Sequence, residues 1–456
     1  MTMLISRRDC FSLAAASTLA STLPSLVAKA AAAPSSPYRA MVGIFLFGGN
    51  DGWNMVVPTD SARYSAYSSA RRAPIVLPQT SLVPLNGSSF GLHPKLRSLR
   101  PIWDDGAMSI VLNTGTLSQP LTKAEYIAGG SRYPTGLMSH SDEQAHWQGL
   151  RPRASNPDGF MGRLTDRNYS SEVSSLISFG GGSLAMIGQT SAPLVLPPTG
   201  IVSPAGLSGN PADPIVFARS AALNAFASGS GLGTITRETA LSMGSAYAQI
   251  GTANAILANT SIVDQYFVSP STGTPLSSDV ANQLLRTARM IEARGVLGHA
   301  RQTFFVSQGG YDTHAAQAAA QAALYSDLSD ALLGFYRAIA ALGVVENVTA
   351  FTMSDFGRSY RGNAQDGTDH AWGNNQLVIG GSLYPKQVHG KYPSQVMGGD
   401  DDISGDGRFI PTISQEEYLG GIAKWHGVLD GDMPYVFPDW SVWSQNGRVP
   451  VPLLRS

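Results

Sequence analysis

The sequence predicts an α/β protein with a mostly parallel central sheet and helices on both faces. Short, continuous apolar runs recur along the chain, which is the pattern of strands buried on both faces. Segments with helical spacing lie between them, and strand, helix and strand in this order form right-handed parallel crossovers. At 456 residues the chain has room for one large domain or two ordinary ones. We predict a single domain over residues 34–456.

The elements follow from local patterns. A Gly- and Ser-rich region at 168–277 contains a helical stretch and no histidine, so we interpret it as an insertion or cap. The predicted strands are 40–47, 108–112, 303–306, 347–353 and 377–379, and the predicted helices are 64–73, 96–105, 215–227, 280–294 and 315–341.

Composition limits the classes of partner. Charged residues make up 14% of the chain, below the usual value of about 25%, and the formal net charge is −1. No cluster of Lys and Arg follows the N-terminus, so we expect no nucleic-acid partner and no binding to anionic lipid.

The N-terminus predicts export. Adjacent arginines, Arg7 and Arg8, precede an apolar, Ala-rich run and a small-residue cleavage site, so residues 1–33 resemble a twin-arginine signal peptide. An ordinary secretory signal that contains Arg-Arg is the alternative. The apolar run is shorter than the ~20 residues of a membrane span, so we expect no stable membrane anchor. We therefore predict a periplasmic or secreted protein whose partners include the twin-arginine translocation machinery.

Cysteine chemistry is excluded from the mature protein. Cys10 is the only cysteine and lies within the predicted signal peptide. Cleavage would remove it, and with it any disulfide, thiolate metal site, cysteine nucleophile or cysteine-derived formylglycine.

Acidic residues and histidines follow the predicted strands. Because the carboxyl ends of parallel strands meet at one edge of a sheet, such residues are expected to lie close together. Carboxylate oxygens and imidazole nitrogens suit Zn²⁺, Mg²⁺, Mn²⁺ or Ca²⁺, and close carboxylates would repel one another without a cation. We predict a divalent metal site, with its centre in the stretch 352–374, formed by Asp51, Asp312, His314, Asp355, Asp369 and His370.

The segment 137–148 predicts a helix that begins after Ser139. Ser139 is followed by Asp142 and Glu143, as in an N-cap with acidic residues in the first helical turn. A hydroxyl at a helix N-terminus faces free backbone N–H groups, which bind phosphate-like anions. The alternative is that Ser139 only caps the helix and that His140 and His146 are surface or packing residues.

Five motifs together resemble the exported bacterial family known as domain of unknown function 1501. The likeness runs through the mature chain in order. The motifs are Phe47-Gly-Gly-Asn-Asp-Gly-Trp-Asn54, Ser139-His140, Gly309-Gly-Tyr-Asp-Thr-His314, Ser354-Asp-Phe-Gly-Arg358 and Gly367-Thr-Asp-His-Ala-Trp-Gly373.

The resemblance implies a fold and an activity. The family is similar in fold to the alkaline phosphatase and sulfatase superfamily, in which a two-metal site and a Ser or Thr nucleophile act on phosphate or sulfate esters. It implies that Ser139 is the nucleophile and that Arg358 holds the anionic group. The substrate would be a small-molecule or glycan ester. Phe356 stands where the superfamily usually has a histidine, so the resemblance predicts fewer metal ligands than in the phosphatases.

Two functions follow as hypotheses. The first is an exported, metal-dependent hydrolase of phosphate or sulfate esters. The second is a non-catalytic binding or assembly protein at the cell surface or in the periplasm, which the low charge of the inserted region and the histidine-poor long helix favour. A purely structural metal, such as Ca²⁺ held by carboxylates alone, is a third and weaker possibility.

Overall fold

A computed structural model describes residues 37–168, 174–202, 206–207, 209–210 and 212–455. The predicted signal peptide, 1–33, and Cys10 lie outside the described residues. None of the helices within these ranges is both long enough and apolar enough to cross a membrane.

The centre of the fold is a mixed, mostly parallel sheet, which confirms the predicted fold class. The order of its main strands is β11-β5-β10-β9-β1-β8-β6-β7, and β12 also pairs with β5. Strand β10 is antiparallel to both of its neighbours. The bounds are β1 Arg39–Leu46, β5 Met108–Gly115, β6 Leu176–Ser178, β7 Leu194–Val195, β8 Arg301–Gln308, β9 Val348–Ser354, β10 Asn374–Gly380, β11 Val388–His389 and β12 Ile413–Ser414.

A small antiparallel sheet and thirteen helices complete the described fold. The small sheet contains β2 Val56–Pro58, β3 Val83–Pro84 and β4 Phe90–Leu92. The helices are α1 Gly52–Met55, α2 Ser61–Arg71, α3 Arg100–Asp104, α4 Lys123–Ala128, α5 His140–Gly149, α6 Phe160–Asn168, α7 Pro214–Ala227, α8 Thr234–Ala258, α9 Asp279–Glu292, α10 Gln317–Ala341, α11 Gln415–His426, α12 Met433–Val436 and α13 Trp440–Gln445.

Strand β1 shows why both faces of the sheet are covered. Its side chains alternate between two cores, since successive side chains of a strand point to opposite faces. Val42 and Ile44 pack in a core with residues of α9 and α10, whereas Met41 and Phe45 pack in a second core with residues of α6 and α11.

The topology separates two strands and joins the inserted region to the sheet. Strands β8 and β9 each pair with β1, on opposite sides. The region predicted as an insertion or cap contributes two strands, because β6 pairs with β8 and β7 pairs with β6. Only the later part, α7 and α8, is a largely exposed helical pair.

Candidate metal centre

Three imidazoles and one carboxylate converge beyond the carboxyl ends of the central strands. His140, Asp312 and His370 each offer one ligand atom, and these atoms lie within 4.8 Å of one another. His314 lies beside them, with its Nε2 3.0 Å from an Asp312 oxygen and 2.9 Å from His370 Nε2. We call these four residues the metal cluster.

Each imidazole is oriented by an acceptor on its Nδ1. His140 Nδ1 lies 2.6 Å from an Asp355 oxygen, and His370 Nδ1 lies 2.9 Å from the Met138 carbonyl oxygen. His314 Nδ1 lies 3.2 Å from an Asp369 oxygen. Because a carbonyl or an ionised carboxylate only accepts, Nδ1 carries the proton in each ring. With the proton on Nδ1, the Nε2 atom of a ring is the position that can bind a metal ion.

The Nε2 atoms lack a suitable partner without a cation. His140 Nε2 is buried without a hydrogen bond among the described residues, 3.5 Å from an Asp312 oxygen. His370 Nε2 lies 3.3 Å from Asp312, so a nitrogen lone pair faces an acceptor oxygen. Burial lowers the pKa of His370 below its ordinary 6.5, against the opposing hydrogen bond with the Met138 carbonyl, and this favours the neutral ring. A divalent cation between these atoms would satisfy all of them.

Asp312 supplies the negative charge of the cluster. Its side chain is 47% exposed and accepts a hydrogen bond of 2.5 Å from Arg358 Nη2. Partial burial raises its pKa, but the hydrogen bond and charge of Arg358, helped by His314 and His140, lower it overall to about 2. The carboxylate is therefore ionised at neutral pH and able to bind a metal ion.

The loop of β9 places an aromatic ring behind two of the ligands. The Phe356 ring lies 4.8 Å from the His140 ring and 4.6 Å from the His370 ring, between ring centroids. Phe356 itself packs against the backbone of Gly49, where an added Cβ would lie 2.4 Å from the ring. Phe356, which stands where a histidine was expected, thus holds the rings of His140 and His370 in place.

Asp51, one of the predicted metal ligands, is engaged by donors of the protein itself. Its buried carboxylate pairs with Arg71 through both oxygens and accepts a hydrogen bond of 2.5 Å from Gln317. One oxygen also accepts from the backbone N–H groups of Trp53 and Asn54 at the start of α1. These donors occupy the lone pairs that a metal would need.

Asp355 and Asp369 hold ligands rather than facing the cluster directly. Asp355 is fully buried and accepts hydrogen bonds from Gln144 and from the Gly48 N–H, in addition to His140. Asp369 accepts from Asn363 and His314. Both predicted ligands therefore accept hydrogen bonds that orient a histidine ring of the cluster.

Arg358 holds loops together and is not free to clamp a substrate. It is fully buried, and all three of its guanidinium nitrogens donate hydrogen bonds. The acceptors are the carbonyl oxygens of Gly48, Gly49, Tyr311 and Thr368 and the carboxylate of Asp312.

Ser139 lies next to the cluster by chain position. It precedes α5 as predicted, but its hydroxyl makes no capping hydrogen bond and lies 3.1 Å from the Ser141 hydroxyl. The residues on either side of it contribute to the cluster, because His140 is a ligand candidate and the Met138 carbonyl orients His370.

His140 is the ligand that sequence reasoning did not select. It begins α5, and Gln144 follows one helical turn later on the same side, so both contact Asp355. The i, i+4 spacing of His140 and Gln144 was the available signal. It became informative only when α5 was seen to lie over the end of β9.

Comparisons with known proteins agree with the family resemblance. The family model described as "Protein of unknown function (DUF1501)" matches residues 245–402, which confirms the predicted family over that segment. No curated protein sequence matches the chain.

Solved structures resemble the chain only at low sequence identity and low TM-score. A structure of Ps i-CgsB in complex with k-i-k-neocarrahexaose is 12% identical, with a TM-score of 0.36, over 91% of this chain and 78% of that chain. The lipoteichoic acid synthase LtaP from Listeria monocytogenes is 10% identical, with a TM-score of 0.31, over 86% of this chain and 80% of that chain. A mutant of the alkaline phosphatase PafA is 12% identical, with a TM-score of 0.25, over 71% of this chain and 64% of that chain. At these TM-scores the matches carry no argument about activity.

Proposed function

We propose that this chain, which matches the DUF1501 family over residues 245–402, is an exported hydrolase that uses a divalent metal ion to cleave phosphate or sulfate esters. The observation that carries the proposal is the convergence of His140, Asp312 and His370, in which the buried His140 Nε2 has no hydrogen-bond partner among the residues described. The choice of ester class comes from the family resemblance and from Ser139.

The donor set favours a particular kind of metal. Three imidazoles with one carboxylate suit Zn²⁺ or a similar transition ion better than Ca²⁺ or Mg²⁺, which prefer oxygen ligands. A bound ion would supply Lewis-acid activation of an ester oxygen or of water. The carboxylate-only calcium site considered from the sequence fits these residues poorly.

The residues of the chain have distinct roles in this proposal. His140, Asp312 and His370 hold the ion, and the exposed His314 either completes the coordination or lies at its open side. Asp355, Asp369 and the Met138 carbonyl keep the three rings in one tautomer. Ser139 is the proposed nucleophile because its two chain neighbours are fixed to the cluster.

A generic ester assay tests the proposal. We expect purified protein to contain zinc or another divalent ion and to hydrolyse an aryl phosphate or an aryl sulfate, with a chelator abolishing the activity. His140→Ala should lose both metal and activity, whereas Ser139→Ala should lose activity and keep the metal. The proposal fails if the folded protein binds no divalent ion.

Retained metal without hydrolysis would instead support the binding-protein hypothesis. In that case the wild type would bind the metal ion but would hydrolyse neither the aryl phosphate nor the aryl sulfate. The His140→Ala variant would then be expected to lose metal but to leave the biological phenotype intact.

The exported location is part of the proposal. The apolar run after Arg7 and Arg8 supports it. Replacing both arginines with lysine should leave the precursor in the cytoplasm if the twin-arginine route is used. Export of the variant at the wild-type rate would indicate an ordinary secretory signal instead.

A further inference from the structure

We infer that the exposed helical pair of α7 and α8 is the surface through which two copies of this chain form a symmetric dimer. The inference is independent of the proposed function, because no residue of the metal cluster belongs to either helix. The exposed apolar residues of the pair, which we call the hairpin face, are Ile215, Phe217, Phe226, Leu241, Ala248 and Ala255.

Helix α7 has the composition of a buried helix but lies on the surface. Ten of its fourteen residues are Ala, Val, Ile, Leu or Phe, and they occur on every side of the helix. A helix that is apolar all round is normally buried. None of the α7 residues is buried, however, and Ile215 and Phe217 are 61% and 53% exposed. The described part of the chain therefore does not cover this helix.

Large exposed apolar side chains are concentrated in this region. Fifteen such side chains occur among the described residues, and six of them lie between residues 201 and 241. A contiguous apolar patch on a soluble protein generally marks a site of interaction with a protein, a ligand or a membrane. The hairpin face is therefore an interaction surface, and its size and charge decide which occupant it fits.

The size of the hairpin face suits a protein partner. The two helices pack side by side, since an added Cβ on Gly244 of α8 would lie 3.1 Å from the Ala227 Cβ of α7. Helices of 14 and 25 residues are about 21 and 38 Å long and each about 10 Å wide. Their combined footprint of about 600 Å² approaches the ~800 Å² of accessible surface that each partner buries in a standard interface.

The charge of the pair favours a second copy of the chain. Residues 213–259 contain two acidic and two basic residues, so the region has no net charge. Interfacial helices bind membranes through many Lys and Arg residues beside their apolar face, and two arginines do not provide such a face. A neutral surface also gains no attraction from a strongly charged protein. An apolar, neutral surface of the same kind is the partner that fits, as in homodimer interfaces.

The outward side of α8 has the spacing of helices that pair side by side. Leu241, Ala248 and Ala255 recur at intervals of seven residues, the repeat that keeps one side of a helix against another helix. When two α8 helices lie antiparallel and meet at Ala248, Leu241 of each copy lies against Ala255 of the other. A large side chain then packs on a small one at two equivalent places, which is the pattern of a two-fold interface.

Arg237 makes the antiparallel arrangement electrostatically favourable. It lies in the first turn of α8, at the positive end of the helix dipole, where a cation is unfavourable. The last turn of α8 has no basic residue, although its carbonyl groups attract cations. Antiparallel pairing about Ala248 places Arg237 of each copy beside the last turn of the other α8. Each helix end thus receives the charge that its own sequence does not supply.

Sedimentation velocity of the mature protein over a wide range of concentration tests the inference. We compare the wild type with Phe217→Asp and Leu241→Asp, which place a charge on α7 and on α8. Ile127→Asp is the matched control, because Ile127 is 70% exposed on α4, outside the hairpin face. Thermal unfolding shows that each variant is folded.

We expect the wild type to have twice the mass of one chain and to dissociate on dilution. Each of the two hairpin variants should raise the dimer Kd by about 100-fold or more, because dimerisation would bury an unpaired charge. The Kd of Ile127→Asp should stay within twofold of the wild type.

Single-cysteine cross-linking gives a second test that leaves the apolar side chains in place. Cys10, the only cysteine, lies in the predicted signal peptide, so an introduced cysteine would be alone in the mature protein. Ala248→Cys should form a covalent dimer with a short bismaleimide, because residue 248 of one copy lies beside residue 248 of the other. Ile127→Cys is the control and should remain monomeric. This test decides the matter if the aspartate variants do not fold.

Three results would overturn the inference. One is a wild type that stays monomeric at every concentration, and another is a dimer whose Kd changes in neither hairpin variant. The third is cross-linking of Ala248→Cys no faster than that of Ile127→Cys. Binding of the wild type to phosphatidylcholine vesicles, abolished by Phe217→Asp, would also count against a second copy and assign the hairpin face to a membrane. None of these measurements depends on a metal ion or on ester hydrolysis.

Discussion

At the residue scale, the pairing of His140 with Asp355 is central to the candidate metal site. Asp355 is fully buried and also accepts from Gln144, so its position is fixed by the fold rather than by the metal. Such an acceptor holds the imidazole in one tautomer and increases its basicity as a ligand. The strength of metal binding should therefore depend on a carboxylate that lies outside the coordination sphere.

We predict that Asp355→Asn weakens zinc binding by about 10- to 100-fold while the protein remains folded. The amide is a weaker acceptor for His140 Nδ1–H and can present N–H in its place. Titration calorimetry with zinc measures the change. Asp104→Asn on α3 is the control, and equal affinities of the Asp355 and Asp104 variants would contradict the role of Asp355.

Glu143, also on α5, gives a prediction for stability. It is fully buried, with one carboxyl oxygen bonded to the Thr116 hydroxyl and the other without a hydrogen-bond partner in the described part of the chain. Burial raises its pKa from 4.5 to about 8, despite opposing hydrogen bonds. Between these values the folded protein keeps the proton and the unfolded chain has lost it. The free energy of unfolding should therefore fall as the pH rises through this window.

The contribution of Glu143 is seen by comparison with Glu143→Gln. Urea unfolding at pH 5, 6, 7 and 8 gives the free energy of unfolding as a function of pH. In the wild type, Glu143 should contribute a slope that approaches about −1.4 kcal/mol per pH unit, and the variant should lack this contribution. Glu238→Gln on the exposed face of α8 should retain the wild-type slope. An unchanged slope in Glu143→Gln would show that Glu143 is ionised in the folded protein.

At the scale of elements, the backbone of the loop after β1 packs closely against the loop after β9 and so supports the site. Gly48 and Gly49 both have positive φ, at +112° and +81°. An added Cβ on Gly49 would meet the Phe356 ring, which packs on the rings of His140 and His370. The loop can lie this close to the β9 loop only because these positions lack side chains.

We predict that Gly49→Ala destabilises the protein and weakens zinc binding, because Phe356 must move. Gly87→Ala is a matched control, since Gly87 also has φ of +81° but no atom within 4 Å of its added Cβ. Gly87→Ala should lower the free energy of unfolding by only about 1–2 kcal/mol, the cost of a left-handed backbone conformation for a residue with a Cβ. Urea unfolding and zinc titration of both variants measure the difference. Equal losses would show that contact with Phe356 is unimportant.

At the scale of the whole molecule, charge balance favours one divalent ion per chain at the proposed centre. Asp51 is paired with Arg71 and Asp312 with Arg358, whereas Asp355 and Asp369 form ion pairs only with histidines among the described residues. A single divalent cation neutralises these two charges, whereas a second would leave an excess of positive charge in a partly buried site. The two-metal site that the family resemblance implies is therefore not expected here.

We predict that the wild type binds one zinc ion per chain and that Asp51→Asn still binds one with similar affinity. Asp51 interacts with Arg71, Gln317 and α1 rather than with the metal cluster. Elemental analysis after dialysis gives the stoichiometry. Two ions in the wild type, or loss of zinc from the folded Asp51→Asn protein, would contradict this charge balance.

The sequence predicted the parts of the site that depend on local pattern. Asp312, His314 and the Asp369-His370 pair follow strands, and their meeting at one sheet edge follows from parallel topology. The partners of Asp51 and Arg358 could not be predicted in the same way, because Arg71 and the four carbonyl acceptors come together only in the tertiary structure. His140 was missed for the same reason, since its role depends on how α5 packs over β9.

The central claim is that His140, Asp312 and His370 bind one divalent ion, and anomalous X-ray diffraction at the zinc edge tests it most directly. Crystals of protein incubated with zinc should show one strong peak about 2.0–2.1 Å from His140 Nε2, His370 Nε2 and an Asp312 oxygen. A peak at Asp51, or no peak among these three residues in crystals shown to contain zinc, would contradict the account.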